Sequence, residues 1–506
     1  MCANEGEGVT AGGVTSNGTP LPPLAWRGLA VVCAVLTAVL LVASSRYGYH
    51  RDELYFIACG QHLAWSYPDQ GVLTPLLASS FEALGRGSLV VFRFPAVASM
   101  AGAAWMTGLT ARELGGRTRA QVFAALTVAV SAVGLLAGHL LATATLDFVV
   151  WVAITWVVLR IARTGQTHLW VVAGVLVAVG LLNKDLVLVL VLSLTVGLLT
   201  VPGGHGLVFN RWYVVGAVIA VAAWVPGLVW QAQHGWPQVT LARMIRDEYG
   251  TVDQRIGFLV LQIFLFSLGA SVLWVTGAVR VWRDPAWRFA RVLAVSWLVA
   301  LVVFVITAGQ AYYTVGVYPA LIAAGAVVLE RRPRMFWAMT AVVAITSGVA
   351  LPAALPILAP RTLAASGWAG GGEQQLEMVG WPREVGLVAS AYRSVPAARR
   401  AHAVILTANY GEAGAINRYR ARFGLPEAYS GLNAFGLWGP PPASDRPVVL
   451  VWEDQRPPTY LHGCRNVRRV GGLVPNEEHD YARILICAGP RGTWASIWPR
   501  VAHLSN

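Results

Sequence analysis

The chain has 506 residues, of which 12% are charged and 56% apolar, with a formal net charge of +13. A soluble domain carries about 25% charged residues, so this composition excludes a chain whose surface is covered by water and points to a polytopic membrane protein. The basic residues sit in short clusters between apolar runs rather than along one polar face, which excludes nucleic acid as a partner.

Residues 1–25, rich in Gly, Thr and Ser and without apolar periodicity, read as a disordered tail. Apolar runs of about 20 residues then recur from Trp26 to Ser44, Leu89 to Leu109, Ala120 to Gly138, Leu146 to Ile161, Leu169 to Leu182 and Leu186 to Val201. They continue from Trp212 to Trp230, Ile256 to Val279, Val292 to Ala308, Thr314 to Leu329 and Met335 to Leu351. The first run is preceded by a long, weakly basic tail, so it reads as a span rather than a cleaved signal. About eleven transmembrane helices therefore fill 26–351.

Loops between alternate runs hold Arg112, Arg117 and Arg119, then Arg160 and Arg163, then Arg280, Arg283, Arg288 and Arg291, then Arg331, Arg332 and Arg334. The positive-inside rule makes those loops and the N-terminal tail cytoplasmic. An odd number of spans places residues 352–506 outside the cell, as a soluble domain of α/β or α+β type. Short apolar strands are expected at Ala403 to Leu406 and Val448 to Trp452, with a helix from Glu412 to Arg422. Cys464 and Cys487 of this domain are expected to form a disulfide in preference to two buried thiols.

In a chain so poor in charge, each ionisable group near membrane depth needs a reason. The densest group lies in the first outer loop, 45–88: Tyr49, His50, Arg51, Asp52, Glu53, then His62, Tyr67 and Asp69. Leu54, Tyr55, Phe56, Ile57, Leu63 and Trp65 give an interfacial helix its apolar face, which holds Asp52 and Glu53 at headgroup height. Adjacent carboxylates on a helix diverge, so one can take a proton while the other orients a substrate. A solvated acidic cap explains the pair equally well.

Lys184 is the single lysine among 38 basic residues, set between two apolar runs. It suits a phosphate as a point charge, or it neutralises Asp185 at a tight turn. Tyr312 and Tyr313 lie at an outer membrane edge, where tyrosines also serve as simple belt residues. The outer loop from Gln231 to Arg255 carries His234, Arg243, Arg246 and Arg255, which grip an anionic headgroup or are merely exposed. All four groups fall on one side of the membrane, which suits transfer from a phosphate-bearing lipid. No P-loop, GxSxG elbow, HExxH or GxGxxG motif is present.

The ordered run His50-Arg51-Asp52-Glu53-Leu54-Tyr55-Phe56, with Gly60-Gln61-His62-Leu63-Ala64-Trp65 and Tyr67-Pro68-Asp69-Gln70, resembles the first outer loop of glycosyltransferase family 39. This family includes relatives of protein O-mannosyltransferases and of the lipid A aminoarabinose transferase. Phe92-Arg93-Phe94-Pro95, Leu182-Asn183-Lys184, Tyr312-Tyr313 and Thr407-Ala408-Asn409-Tyr410-Gly411-Glu412 extend the similarity along nearly the whole chain.

The resemblance implies a GT-C fold and an integral membrane transferase that uses a polyprenyl-phosphate sugar on the extracytoplasmic side. It makes Asp52 the general base of an inverting transfer and lets Glu53 position acceptor or donor. It also makes Lys184, Tyr312 and Tyr313 donor-phosphate contacts; by their charge and place in the outer loops Arg51, Arg243 and Arg246 are expected to join them, and His50, His62, Tyr67 and Asp69 to position substrate. Mannose is the sugar expected by analogy. No cofactor is implied with certainty, the role of a divalent metal stays open, and the acceptor is a glycan, lipid, protein or metabolite. Where relatives often carry Pro-Pro after the Asp-Gln pair this chain has Gly71-Val72, which predicts a more mobile loop. Gln310-Ala311 ahead of the tyrosines leaves one expected phosphate contact unfilled. Two other readings are a lipid-linked sugar flippase, which needs polar groups continuing through the membrane, and a non-catalytic envelope scaffold.

Overall fold

A computed structural model describes residues 20–368, 370–442, 446–471, 474 and 482–504; all but the end of the expected 1–25 tail lies outside them. Each of the eleven apolar runs falls on helix. The run from Leu89 breaks at Arg93, giving helices Leu89–Phe92 and Phe94–Glu113. Two further runs are bent: Thr118–Ala129 meets Ala132–Gly138 at 64°, and Val252–Phe264 meets Leu268–Arg283 at 93°. Both bends have identifiable causes, since Ser131 and Ser267 start new helices by accepting the amides of Gly134 and Ala270. The bends also touch, Ala132 donating to the Phe266 carbonyl at 3.1 Å. Among the described residues six helices are long and apolar enough to cross a membrane, or eight with the bent pairs included. The chain is a multi-pass membrane protein.

Apolar side chains gain nothing by leaving lipid for each other, so membrane helices associate where small residues let backbones approach. Gly174 of the Trp170–Asn183 helix faces Gly216 of Arg211–Gln233, and a Cβ at either position would strike the other helix's backbone. At the end of the bundle bearing the arginine clusters, Glu113 binds Arg160 at 3.0 Å and Arg163 at 2.6 Å. There too Glu330 accepts the amides of Arg117 and Ala120.

The opposite end carries the first outer loop and the C-terminal domain. The loop contains helices Arg51–Gln61 and Leu73–Gly85. The domain follows the Pro333–Ala354 helix and is built on a five-stranded sheet of order β2-β1-β3-β6-β5. Its strands are β1 (Val404–Thr407), β2 (Ala428–Ser430), β3 (Val448–Trp452), β5 (Arg465–Arg469) and β6 (Arg483–Cys487); β4 (Leu461–His462) and β7 (Gly489–Pro490) pair separately. β1 is parallel to β2 and β3, whereas β6 is antiparallel to β3 and β5. The Tyr410–Phe423 helix makes the β1-to-β2 crossover, and Cys464 is bonded to Cys487. The domain is thus of mixed α/β type.

One apolar core joins loop and domain, with Leu54, Tyr55, Ile57 and Cys59 packed among Trp381, Val385, Ile405 and Ala413. The loop is also pinned to the bundle, contrary to the mobility its Gly71-Val72 predicts. Gly71 donates its amide to the Asn183 carbonyl at 2.8 Å, and a Cβ there would collide with the Leu182 carbonyl. Glycine serves close backbone approach here rather than freedom.

Candidate active site

Asp52 owes its position to the start of the Arg51–Gln61 helix. His50 caps it, its Nδ1 accepting the Asp52 amide at 3.1 Å while Glu53 accepts the His50 amide at 2.9 Å. The two carboxylates then separate as a helix demands. The Asp52 side chain is 35% exposed and accepts from the Tyr410 hydroxyl at 2.9 Å.

Glu53, expected to position a substrate, instead turns inward and is fully buried. It takes two bonds from Arg93, 2.8 Å from Nε and 2.7 Å from Nη2, and one from the Leu141 amide at 3.0 Å. With every direction occupied, it locks the loop to the bundle.

Lys184 ends the Trp170–Asn183 helix in extended backbone. Asp185, its neighbour, accepts from Trp224 Nε1 at 3.0 Å, and the Lys184 charge acts on it as well. The ammonium lies 5.1 Å over the Tyr313 ring and is acted on by the charges of Asp147 and Asp69. Asn183 orients this corner, donating to Asp147 Oδ1 at 2.7 Å and accepting from Thr74 at 2.6 Å. Asp147, Trp151, Lys184, Tyr312, Tyr313 and Gly316 line a recess. The charge of Asp52 acts on the Tyr312 phenol.

Asp69 closes the arrangement. It accepts from the Tyr55 hydroxyl at 2.8 Å, and Tyr55 in turn packs on Tyr410 with ring centroids 4.7 Å apart. Burial pushes the Asp69 carboxyl up to about 6, with Asp52 adding to the rise and the Tyr55 hydroxyl and Lys184 opposing it.

Of the residues singled out in the sequence, Asp52, Asp69, Lys184, Tyr312 and Tyr313 are therefore brought together. The others are not. His50 is buried, with Nε2 2.9 Å from Glu377 Oε2, and Arg51 Nε lies 3.2 Å from the same oxygen. Tyr67 is buried, its hydroxyl accepting the Ala64 amide and sharing its proton between the Cys59 and His62 carbonyls. His62, at the far end of the helix, stacks on Trp438 with centroids 4.2 Å apart. Arg243 and Arg246 stay exposed on the Pro237–Tyr249 helix, with Arg246 beside Asp247. Among the described residues no group of three His, Cys, Asp or Glu side chains is disposed to hold a metal ion.

Asp147, Arg93 and Glu377 had no assigned role in the sequence. Asp147 carried a usable signal, being an acid inside an otherwise apolar span. Glu377 carried none, because only the docked domain brings it to His50.

Residues 69–230 match the family described as dolichyl-phosphate-mannose-protein mannosyltransferase. No curated protein matches the chain. Among solved structures it is similar to ArnT from Cupriavidus metallidurans bound to undecaprenyl phosphate, at 16% identity and a TM-score of 0.58, covering 91% of this chain and 98% of that one. The apo state of the same protein is similar at 15% identity and a TM-score of 0.58, covering 92% and 98%. At such identities the likeness establishes the fold, which is that of the GT-C membrane proteins, and the chain is similar to glycosyltransferase family 39.

Proposed function

We propose that the chain is a glycosyltransferase that moves a sugar from a polyprenyl-phosphate donor to an acceptor hydroxyl outside the cell, with Asp52 as general base. The observation that carries this reading is a recess lined by Lys184, Tyr312 and Tyr313 at the end of the bundle facing the C-terminal domain, with the charge of Asp69 acting on Lys184 and that of Asp52 on Tyr312. The undecaprenyl phosphate bound to the similar ArnT supports a lipid phosphate as the donor's carrier. The family description over 69–230 supports mannose as the sugar.

In this mechanism the donor phosphate meets Lys184, a point charge, and the hydroxyls of Tyr312 and Tyr313. Asp52 takes the proton of the acceptor hydroxyl as its oxygen attacks the sugar's anomeric carbon. The bond from that carbon to the phosphate oxygen breaks on the opposite face, so configuration inverts and polyprenyl monophosphate leaves with the electron pair. Its developing charge is met by groups already in place, which need no reorganisation during the step. A cavity of about 160 Å³ lined by Trp170, Gly174, Leu181, Leu188, Tyr213 and Trp224 offers apolar walls to the isoprenoid tail. The arginine-bearing loops at the other end of the bundle support a cytoplasmic N-terminus and an outer C-terminal domain.

Mass spectrometry of envelope lipids, glycans and glycoproteins from a strain lacking the chain tests the reading. A sugar missing from one class identifies donor and acceptor together, while an unchanged envelope that still accumulates no sugar-lipid counts against transfer.

A further inference from the structure

The proposed reaction leaves the C-terminal domain without a task, yet that domain touches the base directly. The Tyr410–Phe423 helix lies on the Arg51–Gln61 helix through a face of small residues. A Cβ on Gly411 would stand 2.9 Å from Arg51 Cβ, and one on Gly414 would stand 3.0 Å from Leu54 Cβ and 3.1 Å from the Leu54 carbonyl. Any side chain at either position would push the two helices apart. The start of the upper helix is fixed as well, by a reciprocal cap in which Asn409 accepts the Glu412 amide at 2.9 Å and Glu412 accepts the Asn409 amide at 3.3 Å. Tyr410, the first residue after that cap, consequently meets the lower helix at its own first turn. Its ring packs on Tyr55 and its hydroxyl reaches Asp52 Oδ1 at 2.9 Å.

We infer that Tyr410 is a positioning residue for Asp52, supplied by the C-terminal domain, so that transfer requires this domain to be docked on the first outer loop. The inference rests on the reading of Asp52 as the base. The phenol commits Oδ1 to a hydrogen bond and fixes the carboxylate plane, which leaves Oδ2 to receive the acceptor's proton. Glu377 of the same domain works from beneath. It holds His50 Nε2 at 2.9 Å, and His50 Nδ1 accepts the Asp52 amide. Two side chains from the domain thus bracket the base, one through its carboxylate and one through its backbone.

A double-mutant cycle on the full chain in membranes, with a labelled polyprenyl-phosphate sugar, tests this. Tyr410→Phe keeps the ring against Tyr55 and removes only the hydroxyl. It is expected to lower kcat about ten- to a hundredfold, the worth of a hydrogen bond to a charged group, with KM for the donor unchanged. In an Asp52→Asn background the same change should cost nothing further, because coupled residues are not additive. A structural role for the ring alone predicts wild-type kcat for Tyr410→Phe, and that result overturns the inference while leaving Asp52 as base. Full additivity of the two substitutions overturns it too. Transfer that is indifferent to Asp52→Asn overturns the underlying reading and this inference with it. Gly414→Leu, which separates the helices, provides an independent arm: kcat is expected to fall with donor binding retained, and an unaltered kcat contradicts a requirement for docking.

Discussion

Arg93 grips Glu53 with two parallel hydrogen bonds where neither side chain is exposed to solvent, joining the first outer loop to the helix that follows it. Two charges taken out of water in this way recover their desolvation cost through each other and through the backbone groups that complete their hydrogen bonds. Those groups are the His50 and Leu141 amides on Glu53 and the Ser44 and Gly48 carbonyls on Arg93. Removing one leaves the other stranded. Arg93→Leu is therefore expected to destabilise the protein by about 3–5 kcal/mol, read as a large fall in Tm in detergent and loss of the monodisperse species. Exchanging both partners for apolar residues of similar volume should cost less than either single change.

Lys184→Gln tests the donor-phosphate contact. The ammonium lies over Tyr313 in a recess shared with Asp147 and Tyr312, and Gln keeps much of its length without the charge. Affinity for polyprenyl phosphate should fall about ten- to a hundredfold, the range for hydrogen bonds to charged groups. Direct titration of the lipid phosphate into the purified chain measures it. Tm in the absence of lipid should change little or rise, because Lys184 is half-buried.

Asp69 gives a pH dependence of known sign. Burial raises its carboxyl to about 6, so the folded chain holds that proton more tightly than the unfolded one. Its stability contribution is fully present below the ordinary carboxyl range and is lost as pH climbs through about 6. Asp69→Asn removes the ionisation. The variant's Tm relative to wild type should be more favourable at about pH 8 than at about pH 5, and a difference that does not vary with pH contradicts the burial of this carboxyl.

Gly71→Ala addresses the loop. Backbone meets backbone at Gly71 and Leu182, so the neighbour has no flexible side chain to move. A cost of about 1–3 kcal/mol is expected for the forced repacking. Transfer activity should fall with it, since the same segment holds Asp69 toward Lys184. A variant as stable and active as wild type would return the loop to the mobility that Gly71-Val72 suggests in isolation.

Because apolar periodicity is a local signal, though one that left α/β and α+β open, the helical runs and the presence of both strands and helices in the C-terminal domain were legible in the sequence. So was the separation of Asp52 from Glu53, which follows from the 100° step of a helix. What each carboxylate then faces was not legible. Glu53 meets Arg93 forty positions along the chain, Asp52 meets Tyr410 from another domain, and His50 and Tyr67 are consumed by capping and by backbone carbonyls. Those partners are set by long-range packing that spacing does not encode. Gly71 misled for a related reason: a glycine that permits freedom and one that permits close approach are the same letter.

The most direct test of the central claim is the rate at which the purified full chain releases polyprenyl phosphate from labelled polyprenyl-phosphate sugars, wild type against Asp52→Asn. Asn keeps the shape of the side chain and still accepts from Tyr410, but it cannot take up a proton. The rate should drop about 10²- to 10⁴-fold, the contribution of one positioned base, with donor affinity retained. An Asp52→Asn chain that turns over at the wild-type rate would contradict the assignment of Asp52 as the base.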